Sequence, residues 1–380
     1  MEISTVLGVL LTLASGFYFL IHIGLLWGRK RVRNSPSSEQ PLVSIIVAAR
    51  NEQHTLGRLL LCLSQQTYPH CEIILINDRS TDDTGKIIAD MCRENPTFHC
   101  IDMTKTSSDM PEKKNALKSG IQASKGEILC FTDADCFPPP EWVEELVKQF
   151  QPEVGLVAGY SPYQTPSSIA LKSGIFTRVL FSFITYEEFR AALWSAGSIG
   201  WNSGWLCTGR NLAYRRSVYD EVDGFERIKH SISGDDDLFL QLVRRKTKWE
   251  IRYLHTNKSF VPTVPPAGFW SFVEQRKRHF SASKFFTVPM MLFFFFYHSA
   301  NLMIFLSPIL FFLGLISVQS VLGCIVMKFA ADAVLILPST RTFQCNSFRS
   351  TFILMEALYI LYNSFIGPLG LFWKFQWKQS

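Results

Sequence analysis

The 380-residue chain is short of charge: Asp, Glu, Lys and Arg make up only 18% of it, against 47% hydrophobic residues. That balance is poor for a wholly soluble enzyme and requires part of the chain to sit out of water. The chain also lacks any Cys-x-x-Cys pair, and its nine cysteines, an odd number, follow no regular spacing. This excludes a disulfide framework and a zinc site, and fits reduced thiols in the cytosol. The eight histidines are scattered, which again excludes a zinc site. No basic region precedes the first apolar stretch, where the N-terminus carries Glu2, so a spanning helix is expected in place of a cleaved signal peptide. No RNA- or DNA-binding motif accompanies the net charge of +6, and nucleic acid is not expected as a partner. Internal repeats are absent, and the one biased tract is the Phe-rich patch at 293–296.

The apolar residues gather at the two ends. Residues 3–27 are free of charge and stop at Arg29, Lys30, Arg31 and Arg33, which predicts a transmembrane helix over 1–28. The positive-inside rule then turns the following domain toward the cytosol, in an integral protein of the inner or plasma membrane. Residues 266–286 read as an amphipathic interfacial segment, and 287–375 as about three further crossings. The apolar run 288–326 is too long for one crossing and is expected to break near Pro308 or Gln319, with another span over 352–373.

The middle, 41–265, alternates. Buried strands are predicted at 43–48, 72–77 and 127–132, with helices at 51–66, 82–93 and 113–124. Such alternation with short connections means an α/β domain with a mostly parallel sheet. Residues 161–203 give no period, whereas 209–216 and 224–245 look ordered.

Ligands of such sheets bind beyond the carboxyl ends of the strands. Arg50 and Glu52 follow the first strand, and Asp78 follows the second, placed to accept from a base or a ribose hydroxyl. Thr81, Asp82 and Asp83 suit capping of the next helix. Asp133 and Asp135 follow the third strand, one residue apart, and two carboxylates so close repel unless a cation bridges them. Mg²⁺ or Mn²⁺ would suit such oxygen ligands and the phosphates of a substrate.

The ordered set Ala-Arg-Asn-Glu (49–52), Asn-Asp-x-Ser-Thr-Asp (77–82), Lys-Asn-Ala-Leu (114–117) and Thr-Asp-Ala-Asp (132–135) resembles the family 2 glycosyltransferases of GT-A fold, over roughly 41–280. The resemblance implies a nucleotide-sugar donor, most readily a UDP-sugar. It places Ala48, Arg50, Glu52 and Asp78 at the nucleotide, Lys113 or Lys114 and Asn115 near the diphosphate or sugar, Asp133 near ribose and sugar, and Asp135 on the metal, with Asp133 beside it. Gly209 and Asn211 match the segment that lines the sugar and acceptor site. Within Asp235-Asp236-Asp237, Asp235 matches the general base, with Asp236 as second choice, although Gly234 stands where Glu is usual. Neighbouring carboxylates are expected to raise the base's pKa.

Gln275 to His279 is similar to the Gln-x-x-Arg-Trp motif of membrane synthases and ceramide glucosyltransferases, His279 replacing Trp. Gln275 and Arg278 fit the motif, Arg278 steadying the departing diphosphate, while Arg276 and Lys277 suit anchoring to lipid head groups. Trp194, Trp201 and Trp205 read as an acceptor wall or as packing. The expected activity is a membrane-bound inverting glycosyltransferase acting on a lipid or lipid-linked acceptor. The alternatives are a processive polysaccharide synthase and a non-catalytic scaffold of the same fold.

Overall fold

The computed structural model describes residues 3–32, 37–105, 109–164 and 174–366. The chain divides into two compact units, one comprising Arg31–Lys172 and Trp194–Pro265, the other Met1–Lys30, Ser173–Leu193 and Pro266–Phe375.

The first unit is built on seven strands: β1 (Val43–Ala49), β2 (Cys71–Asp78), β3 (Phe98–Met103), β4 (Ile128–Phe131), β5 (Val154–Gly159), β6 (Leu212–Arg215) and β7 (Glu250–Leu254). Their spatial order is β3-β2-β1-β4-β6-β5-β7. β1 runs parallel to β2 and β4, β2 to β3, and β5 to β7. Only β6 runs against its neighbours β4 and β5. The mostly parallel sheet expected from the alternation is therefore present.

The central strands are apolar on both faces because both are covered. On one side Val43, Ile45 and Val47 pack in a core with α2 (Leu56–Ser64) and α5 (Trp142–Val147). On the other lies α4 (Glu112–Ala123), so close that a Cβ at Gly120 would come 2.8 Å from the side chains of Ile46 and Ile76. α3 (Thr84–Glu94), α7 (Arg216–Glu221) and α8 (Asp237–Lys246) complete this unit. α2 starts later than the expected 51–66, because Asn51 sits at φ 55° and the chain turns there before any helix begins.

The expected pattern had no element in 161–203, yet α6 spans Ile175–Gly200. Its residues are apolar around most of the circumference, so no helical period stood out. Its part up to Leu193 belongs to the second unit, with α1 (Ile3–Arg31), α9 (Phe269–Ser281), α10 (Val288–Phe312), α11 (Val318–Thr342) and α12 (Phe348–Phe365). Among the described residues, α1, α10 and α11 are long and apolar enough to cross a membrane. Residues 367–373 of the last expected span lie outside the described residues.

The long apolar run folds as two helices and breaks at 313–317, between Pro308 and Gln319. Gly314, at φ 71°, ends α10 in a Schellman turn, where Leu315 N donates to Leu310 O (2.9 Å) and Gly314 N to Phe311 O (2.8 Å). Pro308 stays inside α10, and Ser307 Oγ donates to Ile304 O at 2.8 Å, the carbonyl that Pro308 has no N–H to serve. Gln319 is the second residue of α11, after Ser317 caps it.

Candidate active site

The loops after β1 and β2 are tied to each other. Asn51 Oδ1 accepts from Thr81 N (2.8 Å), Thr84 Oγ1 from Glu52 N (2.8 Å) and Asp82 Oδ2 from Gln53 N (3.2 Å). Of the three residues expected to cap α3, Asp82 does so through Thr84 N (3.0 Å), and Asp83 holds the cap position without a side-chain bond. Arg79, also left-handed at φ 55°, pairs with Asp78 (2.9 Å) and Glu112 (2.9 Å), while Arg50 pairs with Glu112. Arg50 and Asp78 thus join one ionic group at the carboxyl ends of β1 and β2. Arg79 and Glu112 were missed from sequence, although Glu112 carries the usual signal of an acid in a helix's first turn. Glu52 accepts from Thr55 Oγ1 at 3.0 Å.

Lys113, one residue into α4, binds the third loop to the Asp triplet: its Nζ lies 3.1 Å from Asp133 and 3.1 Å from Asp235. Ala48, Lys113, Asp133, Gly209 and Asp235 line one cavity, over apolar walls that include Phe131 and Tyr214. Asn115 is half-buried in the same turn of α4.

The triplet sorts itself by hydrogen bonding. Asp236 accepts from Asp237 N (2.7 Å) and Gly209 N (3.0 Å), and Asp237 accepts from Cys207 N (2.7 Å). Asp236 is therefore the helix cap of α8, and these bonds hold the 207–209 loop. Asp235 is the member paired with Lys113 in the cavity. Gly234, at φ 85°, is required by the turn into the triplet, where a Cβ would also meet Leu238 at 2.6 Å.

The electrostatics correct one expectation. Burial, and then the Asp235 charge, raise the Asp236 carboxyl, and burial raises Asp237 well above the usual range. Asp235 is lowered instead. Burial opposes its charge, but the Lys113 and Lys114 ammonium groups outweigh that.

Two further residues expected near the sugar have their polar side-chain atoms committed to protein. Lys114 is buried, and its Nζ donates to the carbonyls of Ser231 (2.5 Å) and Ser233 (2.7 Å), holding the approach to the triplet. Burial pushes its ammonium down to about 8. Lys114→Met would strand two buried acceptors and is expected to cost about 2 kcal/mol, read as a lower Tm of the detergent-solubilised protein. Asn211 is buried with its amide committed to protein: Trp142 Nε1 donates to Oδ1 (2.9 Å), and Nδ2 donates to Tyr160 O (2.9 Å) and Ser259 O (2.8 Å). It ties three segments together behind the cavity.

Asp133 and Asp135 fit a hard cation. Burial and the Asp133 charge raise the Asp135 carboxyl, opposed by the buried Arg210 guanidinium. Among the described residues no group of three His, Cys, Asp or Glu side chains is placed to hold a metal. The two carboxylates would therefore leave most of an Mg²⁺ or Mn²⁺ shell to phosphate oxygens and water. Arg210, which donates to Thr208 Oγ1 (3.1 Å), was overlooked because its neighbour Asn211 carried the motif.

Trp194 and Trp205 pack together at 5.7 Å, while Trp201 is exposed under the Arg31 guanidinium (4.4 Å). In the helical unit, Gln275 and Arg278 lie half-buried on α9. Arg276 does not face lipid as expected: it is buried, 2.9 Å from Glu187 and 3.4 Å from Glu188, because an apolar helix face cannot carry an unpaired guanidinium. Lys277 pairs with Glu274 on its own helix.

Residues 44–222 match the model of the family described as Glycosyl transferase family 2. The chain is 27% identical to the beta-monoglucosyldiacylglycerol synthase of Nostoc sp. over 255 residues, 65% of this chain and 49% of that protein. It is 32% identical to the poly-beta-1,6-N-acetyl-D-glucosamine synthase of Staphylococcus epidermidis over 129 residues, 33% of this chain and 30% of that one. The chain spans about half the length of the curated relatives it matches first. Among solved structures, a mannosyltransferase of Pyrobaculum calidifontis, in complex with GDP-Man and Mn²⁺, shares the fold at TM-score 0.58 and 17% identity, covering 96% of this chain and 97% of that one.

Proposed function

We propose that this chain, a glycosyltransferase carrying a family 2 domain, moves a sugar from a nucleoside diphosphate donor to a lipid or lipid-linked acceptor at a membrane, with inversion at the anomeric carbon. The observation that carries the reading is Lys113 bridging Asp133 and Asp235 at the carboxyl ends of the strands. That contact draws the donor loop and the best-placed base into one cavity.

Asp235 takes the proton of the incoming hydroxyl as it attacks the anomeric carbon, and the C–O bond to the diphosphate breaks on the opposite face. Asp78, Arg50 and Glu52 hold the nucleotide, and Lys113 orients Asp133 and Asp235 about the sugar. Asp135 and Asp133 would hold a divalent cation, which when bound would supply positive charge to the diphosphate. Arg210 adds a fixed cation on the same side. Lipid acceptors are supported by the three apolar helices and by the likeness to an enzyme named for a glucosyldiacylglycerol product. The likeness to a poly-N-acetylglucosamine synthase supports a second reading, processive polymerisation.

Membranes holding the protein, incubated with a panel of labelled nucleotide sugars, decide between them. A single-sugar product in the organic phase, lost with EDTA and restored by Mn²⁺ or Mg²⁺, is the expected result. A long water-soluble polymer would establish polymerisation instead, and label in neither phase with any donor would defeat both readings.

A further inference from the structure

Two consecutive lysines of α4 reach the segment that carries the proposed base, and they act on different parts of it. Lys113 pairs with the Asp235 carboxylate in the cavity (3.1 Å). Lys114 is buried within the sheet unit, and its Nζ donates to the carbonyls of Ser231 (2.5 Å) and Ser233 (2.7 Å). Burial of an ammonium group is costly unless hydrogen bonds replace its water. Here both replacements come from one short stretch of main chain, and that stretch runs directly into Asp235. Ser231 is itself buried, and Gly234 turns the chain at φ 85°. The base from which Lys114 reaches out is rigid. α4 packs so tightly on the sheet that a Cβ at Gly120 would come 2.8 Å from Ile46 and Ile76.

Asp235 therefore lies between two anchors. Downstream, Asp236 accepts from Asp237 N (2.7 Å) and Gly209 N (3.0 Å), which sets where α8 begins. Upstream, Lys114 fixes the peptide planes after Ser231 and Ser233, which sets the path by which the chain arrives. Together they determine where the Asp235 side chain starts and which way it points. We propose that Lys114 is a positioning residue for Asp235, acting through the Ser231 and Ser233 carbonyls. The assignment rests on the reading of Asp235 as the base. The cavity wall includes Lys113 and not Lys114, so Lys114 acts on main chain and not on the reacting atoms. Proton transfer needs its partners within hydrogen-bond reach, and a misplacement of about 1 Å costs on the order of 10²-fold in rate.

A lysine that only stabilises the fold and one that serves Asp235 differ in a double-mutant cycle. The full-length protein in detergent or nanodiscs is compared as wild type, Lys114→Met, Asp235→Asn and Lys114→Met/Asp235→Asn. Tm, kcat and donor KM are read, with turnover measured well below the lowest Tm. Lys114→Met is expected to lower kcat on the order of 10²-fold, the loss typical of a misplaced catalytic group. Donor KM is expected to stay within about twofold, since the proposed nucleotide contacts lie on the loops after β1 and β2. In the Asp235→Asn background the same substitution is expected to lower kcat by less than about twofold further, because the group it positions no longer takes the proton. Should Lys114→Met not accumulate as folded protein, Lys114→Gln, whose amide keeps a neutral donor one bond shorter, takes its place in the same cycle. Equal fold-losses with and without the Asp235 carboxylate would overturn the proposal, as would wild-type kcat in Lys114→Met. Full turnover in Asp235→Asn would instead overturn the reading of the base on which the proposal rests.

Discussion

Asp235→Asn is expected to lower kcat by about 10²–10⁴-fold while donor binding, measured by calorimetry with the nucleoside diphosphate, stays close to wild type. The amide keeps the shape of the carboxylate and loses only its ability to take a proton. Asp236 provides the contrast. Its oxygens already accept from two backbone N–H groups, so Asp236→Ala is expected to act mainly on Tm, by unfastening the 207–209 loop. Equal loss of turnover in both variants, with Tm unchanged, would reverse the assignment. The pH profile adds a second reading. Lys113 and Lys114 hold the Asp235 carboxyl below its usual range, so as the proposed base it stays ionised into acid, and the acid limb of kcat/KM is expected to lie low. Lys113→Met removes a cation that favours the ionised form, so that limb is expected to move upward in pH.

This distinction was not legible in the sequence. Three consecutive aspartates carry the same chemistry, and only the bonds from Gly209 N and Cys207 N divide them. The alternating strands, the loops after β1, β2 and β4, and the apolar ends were legible because each is a local pattern of residue type. What escaped was whatever depended on a distant partner. Lys114 and Asn211 resemble ligand-binding residues by position, yet their polar atoms are committed to backbone carbonyls and an indole N–H far along the chain. Arg276 sits in a basic run that suits a lipid surface, and only the folding of α6 beside it supplies its carboxylates. Conversely, Gly234 reads as a departure from the family's pattern, and the positive φ explains it.

The second large effect is expected in stability. Asp332→Leu leaves Arg190 and Lys328 with a single carboxylate, Glu356, and strands the Tyr18 hydroxyl. Breaking a buried ion pair from one side costs about 3–5 kcal/mol, far more than the pair's net worth. The expected outcome is a large fall in Tm or in the yield of folded protein from membranes. Lys328→Leu/Asp332→Leu removes one charge of each sign from adjacent turns of α11 and leaves Arg190 with Glu356. It is expected to be milder than Asp332→Leu alone, and thermal unfolding of the two variants in the same detergent checks the ordering. If the double variant were the less stable, the network would owe its stability to hydrogen-bond geometry more than to charge balance.

The antiparallel strand β6 bears on the order in which the protein is made. β5 has no partner among the strands that precede it: it pairs with β6 and β7, both of which follow α6 in the chain. As the polypeptide leaves the ribosome, β3, β2, β1 and β4 can assemble from contiguous segments, while β5 must wait, its edges open. The sheet closes only after α6 has been synthesised and the chain has returned with Leu212–Arg215. Slowed or failed placement of α6 would therefore leave an unpaired apolar strand exposed, and aggregation of newly made chains would start there.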